Sequence, residues 1–172
     1  MDILVLGIGQ SLRGDDAAGL EAVRIWQQQH PQSTSRVRVE INELPGLELL
    51  DLLEGMDAAV IVDAVQSRAP AGTLMRLGPE ELAAFKPEAG FAHGWGVAET
   101  LRLGVSLFPG QANRQVTLIG ITGNQFDLGA GLGLEVRKAL AKAAEMIEYE
   151  VVSWLESGII KAGGNHEIHS HT

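Results

Sequence analysis

The side chains of this sequence that could do chemistry are few. Asp15 and Asp16 follow the glycine-rich stretch Gly7-Ile8-Gly9-Gln10-Ser11-Leu12-Arg13-Gly14. Asp63 closes the apolar run Ala58-Ala59-Val60-Ile61-Val62, and His93 lies within Ala92-His93-Gly94-Trp95. Cysteine is absent, which excludes disulfides, thiolate metal sites, iron–sulfur clusters and thiol nucleophiles. Two carboxylates and an imidazole suit a divalent transition metal with open positions.

Each of these residues has a plainer reading. Aspartate favours the start of a helix, so one cap explains one member of the Asp15–Asp16 pair. An aspartate after a strand can cap a turn, and a lone loop histidine is more often solvated or packed than a ligand. His30 ends a helix, where an imidazolium complements the dipole. Against the plain readings stands position. Asp16 and Asp63 both follow apolar strands, and α/β proteins keep their sites beyond the carboxyl ends of strands. The expectation is that Asp16, Asp63 and His93 converge at one sheet edge.

The glycine-rich loop has two nucleotide-binding look-alikes, and both fail. A dinucleotide fingerprint needs a small residue three after its second glycine, where Leu12 stands. A phosphate-binding P-loop needs Lys and Ser or Thr after its last glycine, where Asp15 and Asp16 stand. Two carboxylates at a helix N-terminus repel phosphate.

The elements that must position these residues alternate between strand and helix. Ile3 to Ile8 reads as a strand buried on both faces, as in a parallel sheet. A helix capped by an aspartate follows, from Ala17 to about Gln29, with Ile25 off its Leu20-Val23-Trp26 line and its apolar face therefore broad. Val37 to Ile41 is a strand, Leu47 to Leu53 a short helix, and Ala58 to Val62 a second apolar strand closed by Asp63. Ala69-Pro70-Ala71-Gly72 is a turn before a short strand at Thr73 to Leu77. That strand follows Val60–Ala64 too closely for a helical crossover, so it must run antiparallel to it. Pro79 opens a helical turn through Phe85, Lys86 to Gly90 is a mobile loop, Gly96 to Leu107 is helical, and Gln115 to Ile121 is a third apolar strand. Val136, Leu140, Ala143, Ile147, Val151 and Trp154 form one stripe of a last helix, ended by Gly158. The fold class is α/β. One domain spans residues 1–160, and the polar tail, with His166, His169 and His171, is expected to be disordered.

Composition sets outer bounds. The 172 residues are 45% hydrophobic and 20% charged, as in one globular domain with a real core. Thirteen Lys and Arg against 22 Asp and Glu give a net charge of −9, which excludes attraction to nucleic acid or anionic lipid. Met1 to Gly7 lacks a basic n-region, and no apolar stretch reaches the roughly 20 residues of a membrane span. The expected location is the cytoplasm.

Ile3 to Gly19 closely resembles the opening signature of the hydrogenase maturation proteases, the endopeptidases that process the large subunit of nickel–iron hydrogenases. Val60-Ile61-Val62-Asp63-Ala64-Val65 is similar to their second motif, and Ala92-His93-Gly94-Trp95-Gly96-Val97-Ala98-Glu99 to their third. Val116 to Ile121 with the long helix resembles their C-terminal portion. The likeness runs from about Ile3 to Leu155. It implies a three-layer α/β/α sandwich with a mixed, mostly parallel five-stranded sheet, one strand antiparallel. It also implies that the family's metal-binding triad is Asp16, Asp63 and His93. The implied partner is a hydrogenase large-subunit precursor, cut by a monomeric enzyme that removes its C-terminal peptide. The implied nickel is carried by that substrate and is not tightly held by the enzyme.

The chain departs from the family pattern in four places. Gln10 replaces an asparagine, Asn42-Glu43-Leu44-Pro45-Gly46 replaces a Gly-Thr-containing segment, Gly123 stands where proline is common, and the tail matches nothing. Two rivals remain at this level. One is a metal-independent hydrolase or phosphorylase of the same layered fold, although Arg13 is the only basic residue in the first loop. The other is a nickel-binding assembly chaperone that does not cleave.

Overall fold

The computed structural model of the chain describes residues 1–43, 46–84, 96–107 and 115–163. His93, the loop 86–90 and the tail from residue 164 lie outside the described residues. Five strands form one sheet: β1 (Ile3–Ile8), β2 (Arg38–Asn42), β3 (Ala58–Val65), β4 (Leu74–Leu77) and β5 (Gln115–Thr122), in the order β2-β1-β3-β5-β4. The first four in that order are parallel, and β4 runs antiparallel to β5. The antiparallel sense inferred from the short β3–β4 connection holds, with β5 lying between them.

Strand alternation sends the core to both faces of the sheet. Val5, Val60, Val62, Ile119 and Ile121 face α1 (Ala18–Gln29) and α6 (Leu134–Gly163). Leu4, Leu6, Ile8, Ala59, Ile61 and Leu118 face α3 (Glu48–Leu52), α4 (Pro79–Ala84) and α5 (Val97–Leu107). The result is the three-layer α/β/α sandwich with a mixed sheet. A short helix, α2 (Pro31–Thr34), follows α1 and was not legible in the sequence, being one polar turn opened by a proline. Ile25 is partly buried against the first core, as its broad apolar face requires. Gly19 lets α1 sit on the strand ends. A Cβ there would lie 2.3 Å from the Val62 carbonyl oxygen and 2.4 Å from that of Ile8.

Three expectations are corrected. No aspartate caps α1: a 3-10 turn at Gly14–Ala17 precedes it, and neither helical segment has a side-chain N-cap. Gly158 does not end α6, which continues to Gly163 and so runs through the boundary placed at residue 160. A terminating glycine needs a left-handed φ, which Gly158 lacks. Inside a long packed helix a glycine costs only about 1 kcal/mol. Asp63 does not close β3, which continues to Val65 because β5 pairs with it as far as Thr122.

Polar ties fasten α6 to its neighbours. The Glu148 carboxylate accepts hydrogen bonds from Trp26 Nε1 at 2.8 Å and the Ser33 hydroxyl at 2.7 Å, with His30 Nδ1 at 3.4 Å. Glu150, 4% exposed, takes a bidentate pair from Arg76 at 2.6 and 3.0 Å and the Thr117 hydroxyl at 3.1 Å. The carboxylate beside Arg76 raises the guanidinium's pKa further. Removing Glu150 takes the acceptor from Arg76 on the edge strand β4 and from the buried Thr117 on β5. Glu150→Ala is expected to cost about 2–3 kcal/mol in urea denaturation, and a loss below 0.5 kcal/mol would contradict this account.

Candidate active site

The site is built where β1 stops and β3 does not. β1 pairs with β3 from Ile3↔Ala58 to Gly7↔Val62, so Asp63 falls beside the last residue of β1. Beyond it β3 keeps only β5 as a neighbour, with Asp63 opposite Gly120. The vacated flank is taken by the loop from Gly9 to Arg13 and the 3-10 turn, which packs against β3. Gly9 makes that reversal possible. Its φ is +146°, and a Cβ would lie 1.8 Å from the Asp16 carbonyl oxygen.

This folding brings Asp16 and Asp63 together, and both are half-buried. Burial pushes the Asp63 carboxyl up to about 8, aided by the negative charge of Asp16 and opposed by the Ala64 N–H. Burial also raises Asp16, while the Gln10 N–H and the Arg13 guanidinium pull it back. Two carboxyl groups in one field do not ionise independently, and burial with mutual repulsion favours a pair that keeps one proton near neutral pH. Such a pair can relay a proton or, once that proton leaves, grip a cation. Among the described residues no group of three metal-ligating side chains exists. A third ligand for the pair must come from elsewhere, and His93 lies outside the described residues.

Asp15 does something the sequence did not announce. It is fully buried. Its Oδ2 accepts the N–H groups of Asn124 at 2.9 Å and Gln125 at 3.0 Å, and its Oδ1 that of Gly133 at 2.7 Å. The surplus aspartate of the pair is thus a buckle joining the first loop to the loop 123–133 after β5. Gly123 belongs to the same joint. Its N–H donates to the Val65 carbonyl at 3.0 Å, which proline could not do. A Cβ there would lie 2.6 Å from that of Asp15. Gly123 and the buried Asp15 side chain thus fit against each other in one joint.

The other departures also find places. The Arg13 N–H closes its turn on the Gln10 carbonyl at 3.1 Å, so the turn does not depend on the length of the residue 10 side chain. Glu43 accepts the Ser11 hydroxyl at 2.5 Å and its N–H at 3.3 Å, tying the β2 exit to the first loop. Those bonds hold the Glu43 carboxyl below its ordinary value. Leu44 and Pro45 lie outside the described residues. A groove of about 390 Å³ between α3 and α5 includes neither Asp16 nor Asp63 among its lining residues.

Comparison with known proteins places the chain and its fold. Residues 44–150 match the model of a family described as hydrogenase maturation protease. The chain is 32% identical over 151 residues to the hydrogenase expression/formation protein HupD of Thiocapsa roseopersicina, covering 86% of this chain and 67% of that one. It is 30% identical over 160 residues to the hydrogenase 2 maturation protease of Escherichia coli, covering 92% and 94%. Among solved structures, the hydrogenase maturating endopeptidase HybD from E. coli superposes with a TM-score of 0.70 at 27% identity, covering 92% of this chain and 94% of that one.

Proposed function

This chain belongs to the hydrogenase maturation protease family, and on that premise we propose that it is the endopeptidase that removes a C-terminal peptide from the nickel-loaded large-subunit precursor of a nickel–iron hydrogenase. Peptidase activity comes with the family. The proposal lies in the substrate, the nickel it carries, and the residues that meet it. The observation that supports it is the convergence of Asp16 and Asp63 at the carboxyl edge of the sheet, close enough for one charge to oppose the other. Asp16, Asp63 and His93 are the residues proposed to meet the precursor's nickel, with no thiolate to fix it permanently.

Peptide hydrolysis asks for an activated water, a stabilised oxyanion and a proton for the departing amine. The precursor's own nickel would polarise the scissile carbonyl. Asp16 and Asp63 would hold that nickel, and the proton kept by the empty carboxyl pair would be the one available to the departing amine. Asp16, anchored by the Gln10 N–H, keeps the precursor in register. The enzyme works as a monomer in the cytoplasm. Its net charge of −9 gives it no net field to attract nucleic acid, and no helix among the described residues is long and apolar enough to cross a membrane.

The test uses chelator-treated protein with nickel-loaded and nickel-free precursor. Cleavage of the loaded precursor alone is expected, and equal cleavage of both would overturn the role given to nickel. His93→Ala should abolish cleavage with Tm unchanged, because a histidine followed by Gly94 in the sequence reads as carrying little core packing. A collapsed Tm would make His93 a structural residue instead. Nickel binding without any cleavage of the loaded precursor would mark a chaperone.

A further inference from the structure

The Asp16 carboxylate accepts the Gln10 N–H. A main-chain donor aims only as well as its peptide is held, and a planar peptide is oriented by its two neighbours. On one side lies the peptide of the Gly9 N–H, which donates to the Asn42 carbonyl at 3.3 Å. On the other lies the peptide of the Ser11 N–H, which donates to Glu43 Oε1 at 3.3 Å. The Ser11 hydroxyl donates to the same oxygen at 2.5 Å. β2 pairs with β1 as far as Asn42 opposite Ile8, and Glu43 follows. Consecutive residues at the exit of β2 therefore hold both sides of the peptide that carries the Gln10 N–H.

The two holds differ in kind. The first is main chain to main chain, and Gly9, at φ +146°, turns freely beyond it. The aim of the Gln10 N–H then depends on the second. The Arg13 N–H closes on the Gln10 carbonyl at 3.1 Å, but from within the same loop, and the next tie from outside is the Gly129 N–H on the Leu12 carbonyl at 2.8 Å. Between these stands the Glu43 side chain. A hydroxyl at 2.5 Å from a carboxylate oxygen is in the range of charge-assisted bonds, and two donors on one oxygen fix Ser11 in two directions. Glu43 and Ser11 are both exposed, so the tie adds little to the stability of the fold. What it holds is the geometry beside Asp16.

We propose that Glu43 is a positioning residue of the candidate active site: through Ser11 it fixes the peptide whose N–H orients the Asp16 carboxylate. The proposal rests on the function given above, in which Asp16 meets the precursor. Both bonds fall on one oxygen, so the amide oxygen of a glutamine serves equally well. Positioning asks only for that acceptor, whereas recognition of a substrate cation asks for the charge.

The experiment compares wild type, Glu43→Ala and Glu43→Gln on nickel-loaded precursor, with amide hydrogen exchange of the metal-free proteins. Glu43→Ala should lower kcat about 10-fold, inside the roughly hundredfold that a displacement of about 1 Å can cost, with KM and Tm little changed. The Gln10 and Ser11 amides should exchange faster in it than in wild type. Glu43→Gln should restore both kcat and exchange. Adding Ser11→Ala to Glu43→Ala should lower kcat no further, because the two side chains act as one unit. If wild type cleaves and Glu43→Ala cleaves as fast, or exchanges Gln10 no faster, the positioning role is overturned while the peptidase reading stands. A Glu43→Gln protein as slow as Glu43→Ala would make the charge the acting feature, and a raised KM at constant kcat would make Glu43 a precursor contact; either result also overturns the proposal. If wild type leaves the loaded precursor uncut, the proposed function falls and the positioning role with it.

Discussion

Asp63→Asn is expected to lower the rate of precursor cleavage by at least 10³-fold while making the metal-free protein more stable above neutral pH. The two effects have one cause. The Asp63 carboxyl is held where burial and the Asp16 charge both oppose its ionisation. That arrangement serves a cation or a transferred proton and harms the empty fold. An amide of the same shape cannot ionise, relay a proton, or hold a cation as a carboxylate does. Losing a group that acts in the transition state typically costs several powers of ten.

The stability effect has a definite pH window. A carboxyl group whose folded-state pKa is raised gives its full stabilisation below the unfolded value, near 3.8, and loses it as pH climbs to the folded value of about 8. Wild-type protein should therefore lose stability across that interval, and Asp63→Asn should lose less. Because Asp63 is half-buried and reachable by water, the difference at pH 8 is put at about 1–3 kcal/mol, below the full conversion of the shift. Urea denaturation of chelated protein at pH 5 and pH 8 measures it. Equal slopes with pH for both proteins would remove the field argument. Nickel binding to wild type should tighten over the same interval and release about one proton, because the cation must displace it.

Much of this frame was legible because its signals are local. Three apolar runs became three central parallel strands, since strands covered on both faces have no polar side to show. The antiparallel β4 followed from a connection too short to cross the sheet. Asp16 and Asp63 were legible as a pair because both leave apolar strands at the same end. What the sequence hid were the long-range choices. Asp63 looked like the end of β3, yet pairing with β5, set by a segment more than fifty residues away, carries the strand two residues further. Gly158 looked like a stop, but the helix continues through it. One of Asp15 and Asp16 looked like a cap, yet neither caps α1, and the partners of Asp15 lie about 110 residues along the chain. One clue was available. Two adjacent aspartates are one more than a helix start requires, and the structure shows Gly123 and Gly133 leaving the room that the Asp15 side chain fills.

Asp15→Ala is expected to be the most destabilising single change in this region, by about 3–5 kcal/mol. The carboxylate is fully buried and receives three main-chain N–H groups from the loop 123–133. Alanine leaves those donors without their acceptor, and opens a gap beside Gly123, whose missing Cβ fits the aspartate side chain. Asparagine keeps the shape and one acceptor but turns its amide toward a donor, so Asp15→Asn should fall between, at about 1–3 kcal/mol. The loss is not confined to stability. The residue after Asp15 is Asp16, and the same backbone carries both, so releasing the buckle frees the carboxylate proposed to meet the substrate. Cleavage should drop in Asp15→Asn even at temperatures where the protein stays fully folded, with hydrogen exchange rising first at Asn124, Gln125 and Gly133. An Asp15→Asn protein that loses less than about 0.5 kcal/mol, or that exchanges those amides no faster than wild type, would show that the loop holds its shape without the aspartate. The active-site geometry would then have to be fixed by the main-chain bonds from Gly14, Asp15 and Gly129 alone.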